Sequence, residues 1–260
     1  MGIKILLLFL FSSCSLFAQL NISNPFYVAG VLKPTGSSYS ATSTRFTTDD
    51  YISRGAGLTG AADGKTGTIS FWIKSYTSGS AERILVVNGF TLLFYKEAAG
   101  TVRFAIYDNF SPTLSVDMES TASVEGGAWH HVLAYWDVST GDNTLSKVVV
   151  DGTEGTSYNI TCINANLDYT YSEWTIGSSA SSMNCDVSEF YFNIAARVTD
   201  STKFRSAGGA PVSLGSDGST PSGAQPIVYY KDPNTSLVNL GSGGNFSLTA
   251  GALAAGSAIP

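Results

Sequence analysis

The sequence predicts an all-β fold, a sandwich or barrel of short antiparallel strands. Three observations lead there. Apolar residues recur with period two in short runs, and those runs are separated by Gly, Asn, Asp and Ser. The 260 residues include 27 glycines and 12% aromatics, which suits pleated strands joined by tight turns. Charged residues make up only 13%, and Lys, Glu and Met, which favour helices, are scarce.

Taken in order, residues 19–45 are polar and read as a leading strand and loop. Phe46–Ile52 opens the patterned region. Thr68–Lys74 sets Ile69, Phe71 and Ile73 on one face. Phe90–Tyr95 and Thr101–Tyr107 follow, the latter with Val102, Phe104 and Ile106 inward. His130–Asp137 and Leu145–Asp151 come next, and Asp151-Gly152 is a hairpin signal. Trp174–Ile176 and Ser188–Phe192 complete the series. A short helical turn is expected over Asp200–Arg205 and a loop over 206–224. Strands are expected at Ile227–Tyr230 and Phe246–Leu248, with a frayed tail over 250–260. The chain therefore divides into 1–18, a domain over 19–205, and 206–260, whose loop and strands pack on that domain.

Residues 1–18 have the layout of a secretory leader: Lys4, an apolar run from Ile5 to Phe11, then small residues up to a cut after Ala18. Two alternatives stand beside it. Phe11-Ser12-Ser13-Cys14 loosely resembles a lipobox that would tether the chain through Cys14, or the start codon is misassigned and there is no export. The expected location is secreted or at the cell surface. No later segment is long and apolar enough to span a bilayer. Cleavage would leave Cys162 and Cys185, an even pair that reads as one disulfide in an oxidising compartment, with two buried thiols as the alternative. A net charge of −6 without a basic run argues against nucleic acid as a partner.

Five motifs between about Phe46 and Ala196 resemble the laminin-G-like, or concanavalin-A-like, jelly-roll superfamily. They are Phe46-Thr47-Thr48-Asp49-Asp50-Tyr51-Ile52, Thr68–Lys74, Ala128-Trp129-His130-His131-Val132 after Gly126-Gly127, Val148-Val149-Val150-Asp151-Gly152, and Val187–Asn193. The resemblance implies a two-sheet antiparallel jelly-roll sandwich and a carbohydrate or cell-surface glycan as partner. Asp217–Pro221, Val228-Tyr229-Tyr230 and Gly243–Phe246 are similar to the endings of phage-encoded members, which would imply a virion receptor-binding or decoration protein instead. Some members bind calcium. Asp49 and Asp50 sit where such members place ligands and Asp186 could approach, although a turn-capping acidic pair explains them equally.

Laminarinases share this fold and carry Glu-x-Asp-x-x-Glu on one strand. Here Asp186 and Glu189 have the wrong spacing and point to opposite faces if the strand is regular, so the reading is non-catalytic, with a divergent glycan hydrolase or lyase as the rival. His130 and His131 are the only histidines. As neighbours on a strand they face opposite ways and cannot share a metal or a substrate. The candidate ligand-binding residues are aromatic: Trp72, Tyr107, Tyr135 and Tyr191, with Arg103, turn away from the core. They form a surface on a sheet if their strands are neighbours. The alternative is cover by the chain's own ends. Tyr169, Tyr171 and Trp174 form a second cluster, which either lines a site at the loop edge or packs beneath the disulfide.

Overall fold

Alternating side chains sort themselves onto two antiparallel sheets packed face to face. The computed structural model describes residues 39–87, 91–107, 114–154, 158–178 and 183–260, without the side chains of 158–160. The expected leader and Cys14 lie outside them.

In sheet A the order across the sheet is β10 (Thr153–Glu154), β9 (Lys147–Val150), β8 (His130–Asp137), β3 (Thr66–Ser75), β13 (Cys185–Asn193), β1 (Thr44–Phe46) and β16 (Ala254–Ala255), with β14 (Val228–Tyr230) also on β13. In sheet B the order is β11 (Tyr158–Cys162), β7 (Leu114–Glu119), β6 (Val102–Tyr107), β5 (Leu92–Lys96), β4 (Glu82–Val87), β12 (Trp174–Gly177), β2 (Tyr51–Arg54) and β15 (Ser247–Ala250). The Asp151-Gly152 hairpin forms as expected. Both residues have positive φ, 54° and 75°, the conformation a two-residue turn between twisted strands needs. The helical turn is a single 3₁₀ turn, Ser201–Lys203, capped by the Asp200 carboxylate on Thr202 N at 2.9 Å.

The two sheets meet through aromatic rings. Phe71 of sheet A lies edge-on to Phe94 of sheet B at 5.0 Å, and Trp136 stacks on Phe104 at 4.4 Å. The Trp136 indole N–H donates to the Tyr169 hydroxyl at 2.8 Å, so this large core side chain has no unpaired polar atom. Gly67 pairs with Trp136 across β3 and β8, and a Cβ at Gly67 would stand 2.2 Å from the indole ring. Gly67→Ala is therefore expected to cost about 1–3 kcal/mol by overpacking, read as a lower denaturant midpoint with an unchanged m-value.

β13 is buried along its whole length because it is covered on both faces. Its register against β3 shifts between Ser188 and Tyr191, and Glu189 there has φ of 51°. This bulge marks where the neighbour on one edge changes. β1 pairs with Cys185–Val187, and β14 pairs with Phe190–Phe192. The bulge also corrects the expectation of a regular strand: the extra residue leaves Glu189 on the outer side of sheet A, where Asp186 also meets its partners.

The chain's later segment covers the middle of the outer side of sheet A, whereas the end at Arg45, Lys74 and Tyr76 keeps side chains at the surface. Leu133, Tyr135, Val149 and Tyr191 pack against Val198, Phe204, Leu214 and Tyr229 in a second core. Trp72, Tyr135 and Tyr191 are only 2%, 3% and 0% exposed. They do not form an exposed surface, which corrects that expectation: strand alternation placed them outward, but residues after 197 pack over Tyr135 and Tyr191, and Trp72 is buried against His131.

Two further expectations are corrected. The tail over 250–260 is pinned. β16 pairs with β1, Ser257 N donates to Asp186 Oδ2 at 2.7 Å, and the Trp129 indole donates to Ala258 O at 2.7 Å. Cys162 and Cys185 are both buried free thiols and form no disulfide. Cys162 lies on the edge strand of sheet B and Cys185 on a central strand of sheet A, so the pairing that their even number suggested is not made. Burial raises the pKa of both thiols.

Candidate functional site

The outer face of sheet B carries half-exposed aromatic and charged groups. Alternation along β6 turns Val102, Phe104 and Ile106 into the core and leaves Arg103, Ala105 and Tyr107 outward. A cross-strand row runs from Thr175 through Val86, Leu93, Ala105 and Asp117 to Thr161. A second row joins Arg83, Tyr95, Arg103 and Glu119. Ala105 is fully buried although it points outward, so the larger side chains around it cover it.

Arg103 is held by a fork. Its Nε and one terminal nitrogen donate to the two oxygens of Asp117 at 2.6 Å each, and the other donates to Glu97 at 3.3 Å. The Asp117 hydrogen bonds push the guanidinium pKa still higher, so it stays charged throughout. Its Cζ lies 5.9 Å from the Tyr95 ring centre. Burial, with Glu97 alongside, raises the Tyr95 phenol above its ordinary range, and it remains protonated at neutral pH. The Arg103 charge is thus compensated by these carboxylates, and the Tyr95 ring lies near a side chain that is itself fixed.

At the end of β6 the face runs into a cavity of about 210 Å³. Tyr107 forms part of its wall, with Tyr171, Asp63, Asp168, Asn166 and Ser115, over Ile106 and Leu167. The Asp168 carboxylate is fixed through Oδ1, which accepts from Thr170 N and Thr170 Oγ1 at 2.7 Å each. The loop is tied to the sheet where Ile163 N donates to Ser115 O at 2.9 Å and where Gly64 and Leu167 exchange backbone bonds.

Of the five sequence candidates, Tyr107 and Arg103 belong to this face, whereas Trp72, Tyr135 and Tyr191 lie on the other sheet under cover. The second cluster also divides. Tyr169 and Trp174 are wholly core, whereas Tyr171, also packed in the core, reaches the cavity wall. Sequence reading missed Tyr95, Asp117, Asp63 and Asn166. A signal existed for Asp117, since Leu114, Val116 and Met118 alternate with it and opposite charges favour cross-strand positions. None existed for the loop residues.

The remaining carboxylates are engaged in the fold. Asp50 accepts from Thr47 N at 2.7 Å and from Ala252 N at 2.8 Å, while Asp186 accepts from Tyr76, Ser257 and Arg45. Oxygens aimed at backbone N–H groups do not fit a calcium site, and the turn-capping alternative describes Asp50. Glu189 accepts from the Tyr39 hydroxyl and, at 2.7 Å, from the Tyr229 hydroxyl, and burial raises its pKa.

Two antiparallel sheets packed face to face in this strand order form a jelly-roll sandwich. The chain belongs to the concanavalin A-like lectin/glucanases superfamily, whose laminin G model matches residues 46–195. Among solved structures, a proposed carbohydrate-binding protein from Bacteroides ovatus superposes with a TM-score of 0.59 at 14% identity, covering 85% of this chain. The chain spans 62% of that protein's length. The heptameric SAP-like pentraxin from Limulus polyphemus gives a TM-score of 0.50 at 12% identity, covering 84% of this chain and 95% of that one. At these identities the likeness is one of fold. No curated protein matches the sequence. Among the described residues no helix is long and apolar enough to cross a membrane.

Proposed function

We propose that this chain is a non-catalytic recognition protein that binds carbohydrate on the outer face of sheet B, with Tyr107 at the junction between the open sheet and the end cavity. The observation that carries this reading is that the outer face of sheet B keeps half-exposed rings, Tyr95 and Tyr107, beside a polar cavity. Sugar rings offer apolar faces that stack on tyrosine, and their hydroxyls suit Asn, Asp and Ser groups such as those of the cavity. The resemblance of fold to the Bacteroides ovatus protein supports the same reading as an analogy. The leader-like start over 1–18 supports an exported protein that meets its glycan outside the cell. Binding rather than hydrolysis is supported by Asp186 and Glu189. These carboxylates are tied to Arg45, Tyr76, Tyr39 and Tyr229 rather than presented to a cleft.

A glycan array probed with the wild-type chain and with Tyr107→Ala tests the proposal. Retention of one glycan class, weakened about tenfold (~1.4 kcal/mol) in the variant with no change in unfolding midpoint, is the expected result. An array on which the two proteins behave identically overturns it.

A further inference from the structure

We infer that the cavity at the end of β6 selects sugars bearing an ammonium group over neutral and acidic sugars, an inference that rests on the carbohydrate-binding reading above. Four observations lead to it. The acidic side chains on the cavity wall are Asp63 and Asp168, and no described Lys, Arg or His lines it. Asp168 is held rigidly by its two bonds to Thr170, so its charge has a fixed place on the wall. The cation of the adjoining sheet face, Arg103, is already matched by Asp117 and Glu97 and has little charge left to offset an acidic ligand. Two rings, Tyr107 and Tyr171, share the cavity with the carboxylates.

Aromatic faces and carboxylates together are the chemistry that recognises an organic ammonium ion. The ring attracts the cation and its attached CH groups, and the carboxylates accept its N–H donors. The same arrangement repels a uronate or sulfate, because anions brought near fixed carboxylates find no counter-charge. A net charge of −6 over the chain adds to that repulsion at low salt. The volume, about 210 Å³, lies below the ~300 Å³ at which pockets for drug-sized ligands begin, so it fits one sugar ring. The rest of an oligosaccharide would then lie across Tyr95 and Arg103.

The experiment is titration calorimetry with three oligosaccharides of equal length: a glucosamine oligomer, its fully N-acetylated counterpart and a galacturonate oligomer. It is run at physiological salt on the wild-type chain, Tyr107→Ala and the double variant Asp63→Asn/Asp168→Asn. The wild type is expected to bind the ammonium oligomer about tenfold more tightly than the acetylated one, with no measurable heat from the acidic one. The double variant is expected to bind the first two equally. An amide oxygen at position 168 still accepts from Thr170, and the unfolding midpoint checks that the fold is kept. Equal affinities in the wild type, or an acidic preference, with binding that still depends on Tyr107, overturn the inference and leave the carbohydrate reading standing. An ammonium preference that survives the double substitution is general attraction to an acidic chain and also overturns it. Failure of all three sugars to bind in a Tyr107-dependent way overturns the inference together with this placement of the site.

Discussion

Replacing Trp72 with alanine is expected to lower stability by about 3–5 kcal/mol and to leave glycan binding on the other sheet unchanged. The side chain is 2% exposed, on the outer side of β3, and its ring centre lies 5.2 Å from that of His131. His131 in turn stacks against Phe204 at 6.0 Å, so the layer runs from sheet through imidazole to the covering segment. Removing the indole opens a cavity between two elements that the backbone alone cannot draw together. Denaturant unfolding followed by tryptophan-independent circular dichroism measures the loss. A variant with wild-type stability and lost glycan retention would mean that the covering segment does not sit on sheet A and that Trp72 is a ligand platform.

Acid is expected to weaken the fold steeply, and His131 is the principal cause. Its Nε2 shares a hydrogen bond with Ser70 Oγ at 2.9 Å, but its Nδ1 is buried without a partner. Burial drives the imidazole pKa from 6.5 down to about 3, and Arg205 pushes the same way against Asp151. The unfolded chain takes up this proton below pH 6.5, whereas the folded chain does not until about pH 3. Within that window the unfolded state binds more protons, so stability is full above it and falls as pH falls. The slope approaches 1.4 kcal/mol per pH unit from this residue alone. Glu189 acts in the opposite sense, since a carboxyl raised by burial favours the folded state as pH falls through its range. His131→Gln is therefore the informative comparison. Its stability from pH 6.5 to 4 should be flatter than that of the wild type, and parallel slopes would refute the assignment.

The sequence carried the sandwich because alternation is a local property. Phe104 and Ile106 had to share a side, and Thr68–Lys74, His130–Asp137 and Val187–Asn193 do lie beside one another in sheet A. What local pattern could not report is which outward side meets solvent. Tyr135 and Tyr107 have the same alternating signature, yet one is covered by residues more than sixty positions further along the chain and the other is not. The same blindness applied to the cysteines, whose even number said nothing about which sheet each would join. The Ser188–Glu189 bulge was hidden because Glu is an unusual residue at positive φ, where Gly or Asn would have announced it. Loop residues such as Asp63 and Asn166 reach the cavity only through the path of the chain. The strand at Glu82–Val87 escaped notice because its own register shift, between Arg83 and Leu85, breaks the alternation.

The shared edge of β13 bears on how the molecule assembles. Thr44 must find Val187, and Phe192 must find Val228, before that edge is occupied on both sides of the bulge. Neither pairing is local. The central strand therefore stays half-satisfied until the chain has been synthesised past Tyr230, which places this domain among slow folders of high contact order. During that interval the unpaired edge of this strand, with Phe190, Tyr191 and Phe192, is open to other chains. The closing segment after residue 197 thus acts late, as the step that removes the template for self-association.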